Sequence, residues 1–212
     1  MKTKRTALFI AAILMLLFLV GCGEKYTESE VRAALDKLIP ASAELNEIYF
    51  GEGLPIAGNE EEILALVAEA DTDIEVIHYE PVSPYCKYLT EAELKDATYA
   101  VFSQEYADFL VQRGFSGISS SMVNSDGEME TTSAVYARYI ETDGILTRRI
   151  GLGDEVIKLG RQYDLDGMVI ARQNTGYVLV DIPTAVDGKS DVKVRLKLVM
   201  TDGGWRLDSP TY

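Results

Sequence analysis

The chain has 212 residues, in which 34 aspartate and glutamate residues outnumber 20 lysine and arginine residues, so its formal net charge at pH 7 is −14. Charge of this sign is repelled by nucleic acid and by anionic lipid, which argues against a nucleic-acid-binding protein and against membrane attachment through a basic surface. Hydrophobic residues make up 47% of the chain, and this is enough to form a substantial buried core.

The first 21 residues have the composition of an export signal. Lys2, Lys4 and Arg5 precede an unbroken apolar run over residues 7–20. This run is shorter than the roughly 20 residues that a transmembrane helix needs, and it fits the apolar region of a cleaved signal peptide. We therefore expect residues 1–21 to be removed on export.

Cys22 follows this run in the sequence Leu19-Val20-Gly21-Cys22, which resembles the lipobox of bacterial lipoprotein precursors. The resemblance implies cleavage between Gly21 and Cys22 and transfer of a diacylglyceryl group to the cysteine. Two acyl chains give stable membrane attachment, whereas a single chain gives marginal binding. The predicted location is the extracytoplasmic face of the cell membrane. The alternative is an ordinary secretory signal with a chance cysteine at its boundary.

Cleavage and acylation would change both the charge and the cysteine content of the chain. Loss of residues 1–21 removes three basic residues and no acidic one, which takes the net charge from −14 to −17. Because acylation uses Cys22, Cys86 is the remaining cysteine, and we expect no internal disulfide. Cys86 is interpreted as a buried small apolar residue, with a reactive thiol as the alternative.

The first half of the mature chain has the pattern of helices, which we predict within residues 28–113. Their starts are recognised from capping residues that precede apolar residues at helical spacing. Pro40 is predicted to end the first helix, and Gly51 to end the helical stretch that follows it. Residues 22–26 form only a short tether before the first cap, so the domain should lie close to the membrane. The predicted N-caps are Thr27, Asn59, Thr90 and Ser103.

The second half has the pattern of antiparallel strands. Residues 114–133 are polar and rich in glycine and serine, which predicts a mobile loop, with a ligand lid as the alternative. Over residues 134–208 the hydrophobic period changes from 3.6 to 2, with hairpin turns at 142–144, 174–176 and 202–204. Helices followed by strands define an α+β fold with an antiparallel sheet covered on one face. The predicted strands are 134–141, 145–150, 168–173, 177–182, 192–200 and 205–207.

The closing segment 202–208, Asp-Gly-Gly-Trp-Arg-Leu-Asp, resembles the last strand of NTF2-like (cystatin-like) domains in lipoproteins of Gram-positive bacteria. Residues 39–55 are also similar to segments of such lipoproteins. The resemblance covers residues 85–212 and implies N-terminal helices packed on a curved antiparallel sheet that holds a pocket in many members. We expect residues 27–212 to form a single α+β domain. The resemblance implies no reaction, because no acid or base of the family's enzymes aligns with a position here. Trp205 is expected to be buried where the sheet closes.

Few residues in the chain carry catalytic or metal-binding chemistry. His78 is the only histidine, which excludes a zinc-binding histidine pair. We interpret it as a strand-surface residue, with a catalytic histidine as the alternative. Asp164-Leu165-Asp166-Gly167 lacks the glycine spacing of a calcium loop and indicates a tight turn. Glu60-Glu61-Glu62 is interpreted as a helix start. The sequence therefore predicts no catalytic residue, no cofactor and no metal site.

Twelve tyrosines are the remaining signal for function, because tyrosine combines a flat apolar ring with a polar hydroxyl. We interpret most of them as packing residues, with a tyrosine-lined pocket as the alternative. The sequence predicts a monomeric, lipid-anchored module that binds a ligand or partner without catalysis. Two alternatives stay open: a small hydrolase or isomerase with an acid–base pocket, and a structural or assembly lipoprotein of the cell envelope.

Replacement of Cys22 by serine tests the lipobox prediction. The predicted lipid acceptor is the thiol of this residue, so Cys22→Ser should abolish incorporation of labelled palmitate and leave the protein uncleaved or released by another route. Fluorography and membrane fractionation measure both effects. Cys86→Ser is the matched control and should be labelled like the unaltered protein. A Cys22→Ser protein that is still acylated would show that the lipobox interpretation is wrong.

Overall fold

The computed structural model describes residues 26–69, 78–123, 129–151 and 160–212. The helices are α1 (Glu28–Phe50), α2 (Glu60–Glu69), α3 (Glu91–Val101) and α4 (Gln104–Phe115), and a 3-10 turn lies at Leu165–Gly167. The strands are β1 (His78–Pro81), β2 (Ile118–Val123), β3 (Met129–Val135), β4 (Tyr139–Thr142), β5 (Ile145–Ile150), β6 (Arg161–Tyr163), β7 (Val169–Gln173), β8 (Tyr177–Ile182), β9 (Thr184–Val186), β10 (Lys189–Ser190), β11 (Val194–Thr201) and β12 (Gly204–Leu207). The protein is therefore α+β, as the sequence predicts.

The capping residues that were predicted from the sequence begin the helices of the structure. The Thr27 hydroxyl accepts from the Glu30 N–H at 3.2 Å, while the Glu30 carboxylate accepts from the Thr27 N–H at 2.7 Å. Thr90 and Glu93 form the same reciprocal pair at the start of α3, and the Ser103 hydroxyl caps α4. These bonds satisfy backbone N–H groups that the first turn of a helix leaves without partners.

The prediction that Pro40 ends the first helix is wrong. α1 continues through Pro40 to Phe50, and Gly51 follows its last residue. Proline removes one backbone N–H and the hydrogen bond that it would make. Pro40 lies on the exposed side of the helix, however, while Leu35 before it and Leu45 after it are buried on the other side. Burial of this apolar side stabilises a continuous helix by more than the lost bond costs.

The strands form antiparallel sheets, four of them within the residues that the structure describes. The largest has the order β12-β11-β8-β7 and contains two of the predicted hairpins, with turns at 174–176 and 202–203. The sheet β1-β5-β4 contains the third, and its turn residues Asp143 and Gly144 have φ angles of 54° and 76°. Two positive φ angles are typical of the tight turns that match the twist of paired strands. The smaller sheets are β10-β9-β6 and the ribbon β2-β3.

The ribbon contradicts the predicted mobile loop over residues 114–133. β2 and β3 occupy most of this stretch and pair from Ile118↔Val135 to Val123↔Met129, with an irregular register between Ser120 and Ser121. A run of serine and threonine lacks the apolar alternation from which a strand is recognised, although its backbone pairs as well as any other. The predicted strand 134–141 is divided accordingly, since its first residues belong to β3 and its last to β4.

Helices and strands share one buried cluster. Every second side chain of β8 and β11 is buried, which is the alternation expected of a sheet with one face toward the core. Trp205 is half-buried against this core, so the expectation that it is fully buried is only partly met. No helix in the described ranges is both long enough and apolar enough to cross a bilayer. Members of the cluster include Val31, Leu35, Leu45, Leu94, Leu110, Val178, Val180, Leu196, Leu198 and Leu207.

The hydroxyl of Tyr139 joins the end of α1 to the loop that follows it. This fully buried side chain accepts from the Leu54 N–H and donates to the Ile48 carbonyl, both at 2.9 Å. Tyr139→Phe removes the hydroxyl from both backbone groups, and each buried polar group left unsatisfied costs about 1–3 kcal/mol. We expect the free energy of unfolding, measured by urea denaturation, to fall by about 2–4 kcal/mol. Tyr85→Phe, at a side chain that is 95% exposed, should change it by less than about 0.5 kcal/mol. Equal stability of the two variants would contradict this role of Tyr139.

Candidate functional site

A groove of about 320 Å³ lies between α4 and the strands β11 and β12. Glu105, Tyr106 and Phe109 line it from α4, where positions i, i+1 and i+4 lie on one side of a helix. Lys197 of β11 and Asp208, the residue after β12, line the opposite wall. The Asp208 N–H donates to the Lys197 carbonyl at 2.7 Å, which holds these two residues side by side. We call this feature the groove.

Asp208 is the centre of the polar network in the groove. Its side chain is only 11% exposed, and its Oδ2 lies 2.5 Å from the Nζ of Lys197. Its Oδ1 accepts a hydrogen bond from the Ser103 hydroxyl. The Ser103 N–H in turn donates to the Leu207 carbonyl at 2.7 Å. The start of α4 is therefore bonded directly to the end of β12, and Asp208 extends this junction to β11.

The same network determines which groups in the groove are charged. The hydrogen bond from Lys197 to Asp208 and the negative charge of that carboxylate raise the pKa of Lys197, so the ammonium stays protonated at neutral pH. Burial, and then the neighbouring Tyr212, raise the pKa of Tyr106, which stays a neutral phenol. A serine nucleophile needs a neighbouring base that can take its proton. A protonated Lys197 is no such base, and the Ser103 hydroxyl is engaged as a helix cap.

Phe109 gives the groove an apolar surface that stays exposed in the folded domain. Its side chain is 44% exposed, and its ring centroid lies 6.0 Å from that of Tyr106. Tyr106 packs in turn against Phe102, with ring centroids 5.0 Å apart. Because Phe102 is fully buried, this aromatic row leads from the core to the surface. A ligand that covered Phe109 would remove its exposed apolar area from water.

The groove has an excess of negative charge. The carboxylates of Glu105 and Asp208 face the single ammonium of Lys197, and both favour its charged form. The chain as a whole also has a net charge of −14, so the surrounding potential attracts cations. Aromatic rings beside carboxylates suit a ligand that has a positive charge next to an apolar group.

A second polar cluster surrounds Arg148, a residue that sequence reasoning missed. Its side chain is 4% exposed, and it donates to the Glu52 carbonyl and to a Glu60 carboxylate oxygen 2.5 Å away. A buried charge needs such partners, and these ones hold the segment between α1 and α2 in place. One signal could have revealed it, because Arg148 shares the inward face of β5 with Leu146 and Ile150, which are both buried.

The residues that the sequence singled out do not come together. Cys22 and the signal segment lie outside the described residues. His78 lies in β1 as a partly exposed side chain, with its Nε2 2.6 Å from Glu80 Oε1, as expected of a strand-surface histidine. Cys86 is half-buried with its Sγ 3.4 Å from the Pro55 carbonyl oxygen, and burial raises the pKa of its thiol. This opposes formation of the reactive thiolate.

Two predictions at acidic residues are confirmed: the tight turn at residues 164–167 and the helix start at residues 60–62. Asp164 caps the 3-10 turn, since its Oδ1 accepts from the N–H groups of Asp166 and Gly167 at 3.1 and 3.3 Å. Glu60, Glu61 and Glu62 form the first turn of α2, where the helix dipole favours negative charge. Within the ranges that the structure describes, no group of three or more His, Cys, Asp or Glu side chains could hold a metal ion.

Fold and site together define the class of the protein, an α+β domain with an acidic, partly aromatic surface groove. No family model, no curated protein and no solved structure matches this chain. The function proposed below is therefore argued from the sequence, from the geometry of the groove and from its charge.

The Asp208 network predicts the effect of removing its charge. Asp208→Asn keeps the shape of the side chain but leaves the half-buried ammonium of Lys197 without its carboxylate, and hydrogen bonds to charged groups contribute about 1.5–3 kcal/mol. We expect the free energy of unfolding to fall by about 1–3 kcal/mol in urea denaturation. Asp181→Asn is the matched control on the same sheet. It breaks a surface pair with Arg195, and such pairs contribute about 0–1 kcal/mol. Equal losses in the two variants would contradict a central role for Asp208.

Proposed function

We propose that the protein is an extracytoplasmic lipoprotein, attached to the membrane through acylated Cys22, and that its domain is a binding module whose ligand site is the groove. The support for attachment is the lipobox pattern that follows an apolar signal segment. The observation that carries the binding function is the half-exposed Phe109, which lies beside charged side chains in a groove of about 320 Å³. That volume suits a small ligand or a single side chain of a partner.

The chemistry of the groove favours binding over catalysis. A hydrolase would need an activated nucleophile, and Ser103 is the hydroxyl closest to the charged network. Its hydroxyl donates to Asp208 and accepts from the Tyr106 N–H at 3.3 Å, so both of its functions are structural. The raised pKa of Lys197 keeps that side chain in the acid form, which cannot accept a proton. The alternative of an acid–base enzyme is less well supported by these contacts.

The NTF2-like architecture is part of the same proposal. Its support is the meander β7-β8-β11-β12, which is antiparallel throughout and shares its buried side with α1 and α3. The groove lies where α4 meets this sheet, next to the closing strand that carries the sequence resemblance. An experimental structure of the Cys22→Ser protein tests the proposal, which would be wrong if this sheet were flat and open on both faces.

Binding of small charged aromatic probes tests the proposed site. In the unacylated Cys22→Ser protein, phenethylamine should shift the backbone amide resonances of residues 105–109 and of Lys197 in NMR titrations. Phenylacetate should bind more weakly, because Glu105 and Asp208 repel its carboxylate. Phe109→Ala should weaken phenethylamine binding about fivefold, which corresponds to about 1 kcal/mol of lost ring contact.

Tyr85→Ala is the matched control for this titration, because it removes an exposed aromatic ring that does not line the groove. It should leave the affinity for phenethylamine unchanged. The binding proposal would be wrong if neither probe shifted the groove resonances, or if Phe109→Ala and Tyr85→Ala had the same effect. If phenylacetate bound more tightly than phenethylamine, the proposal that the ligand is a cation would be wrong.

A further inference from the structure

Tyr26, the residue before the first helix cap, is fixed to one end of the four-stranded sheet. Its hydroxyl donates to the Thr175 carbonyl at 2.7 Å. Its ring meets Trp205 edge-on, with centroids 4.5 Å apart and an interplanar angle of 70°. Thr175 lies in the turn between β7 and β8, and Trp205 lies just after the turn between β11 and β12. We call these two turns, residues 174–176 and 202–203, the turn face.

The rest of α1 runs away from the turn face. One turn into the helix, Arg32 contacts Asp166. Asp166 precedes the start of β7, whereas Thr175 follows its end, so the two residues lie at opposite ends of this strand. At the far end of the helix, the ring of Phe50 lies 4.7 Å from that of Tyr212. The C-terminal residues therefore follow α1 from Trp205, near its start, to Tyr212, near its end. A helix of 23 residues is about 34 Å long at 1.5 Å per residue.

The covalent chain sets a limit on the distance between this end of the domain and Cys22. Four residue steps separate Cys22 from Tyr26, and an extended chain spans at most about 3.6 Å per step. Tyr26 therefore lies within about 14 Å of Cys22. The distance from Tyr26 to the far end of α1 is more than twice this limit.

We propose that the domain is oriented on the membrane with its turn face toward the bilayer and α1 directed away from it. The inference rests on the proposed acylation of Cys22, and Tyr26 is the residue that sets the orientation through its two contacts. The turn face itself consists of glycines and small polar residues, Asn174, Thr175, Gly176, Asp202 and Gly203, which suit lipid headgroups and do not insert into hydrocarbon. A net charge of −17 after cleavage opposes a domain that lies flat on an anionic surface.

This orientation also determines where the groove lies relative to the bilayer. Lys197 precedes the end of β11 at Thr201 by four residues, which is about 13 Å along a strand. The groove is therefore on the side of the domain above the turn face, where the bilayer does not cover it. Ligands would reach it from the extracytoplasmic solution.

Energy transfer from tryptophan to lipid headgroups tests the orientation. The full acylated protein is reconstituted into phosphatidylcholine vesicles that contain a dansyl-labelled lipid, and Trp205, the single tryptophan of the chain, is the donor. The comparison protein has Trp205→Phe together with Tyr85→Trp. Position 85 is 95% exposed and lies next to the segment after α1, since the Ser83 N–H donates to the Pro55 carbonyl. Transfer should be severalfold more efficient from position 205 than from position 85.

Variants of Tyr26 test whether its contacts set this orientation. Tyr26→Ala removes both the hydrogen bond and the ring contact, so transfer from Trp205 should fall toward the value at position 85. Tyr26→Phe keeps the ring contact and should have a smaller effect. Equal transfer from positions 205 and 85, or an unchanged value in Tyr26→Ala, would overturn the orientation proposal.

Mass spectrometry of the same preparations separates the two proposals. Acylation at Cys22 together with equal transfer from the two donors would overturn the orientation alone. A Cys22 that carries no lipid would overturn the proposed attachment, and the orientation with it. Acylation together with the expected difference in transfer supports both.

Discussion

Burial of one side of α1 is the constraint on which the rest of the structure depends. The helix supplies much of the buried cluster, and Val31, Leu35 and Leu45 are each at most 1% exposed. Full burial of one such side chain contributes about 1.5–3 kcal/mol, whereas a proline inside a helix costs about 3 kcal/mol. The summed burial along α1 therefore outweighs the effect of Pro40. The helix consequently extends from its cap at Thr27, next to Tyr26 at the turn end of the sheet, to Phe50, whose ring contacts that of Tyr212 near the C-terminus.

The groove is a consequence of how α4 joins the sheet. Ser103 both caps the helix and binds the end of β12, so α4 must begin beside Asp208. Its first two turns then place Glu105 and Phe109 in the groove that Lys197 also lines. The side chains of Ser103, Asp208 and Lys197 bind one another at this junction. The exposed ring of Phe109 and a net negative charge stay accessible in the groove. Polar side chains that bind one another, beside an aromatic ring that stays exposed, are what we expect of a binding site without catalytic chemistry.

Charge and lipid have complementary effects in the proposed function. An acidic domain has no electrostatic attraction to an anionic membrane, so a covalent lipid would be the source of attachment. The short tether would keep the domain near the surface, and the contacts of Tyr26 would restrict its rotation. The acidic groove would then attract cations from solution, in the same field that keeps the body of the domain away from the bilayer.

The sequence by itself determined the features that depend on neighbouring residues. The caps at Thr27, Thr90 and Ser103 were predicted because a side chain and the backbone it caps are three residues apart. The Asp143-Gly144 turn was predicted for the same reason, since its two residues must adopt positive φ angles. The change of hydrophobic period identified the α+β class. The export signal and the acylation of Cys22 stay predictions, because they lie outside the described residues.

Tertiary structure alone decided the features that join distant parts of the chain. Pro40 lies within a helix because of packing on the opposite side, and the serine-rich ribbon pairs without an apolar pattern. In the polar network of the groove, the sequence predicted only the cap at Ser103, because Asp208, which accepts from the Ser103 hydroxyl, is 105 residues away. Tyr26 and Thr175 are 149 residues apart. Contacts of this kind depend on how elements pack in space, and no local spacing of residue types encodes them.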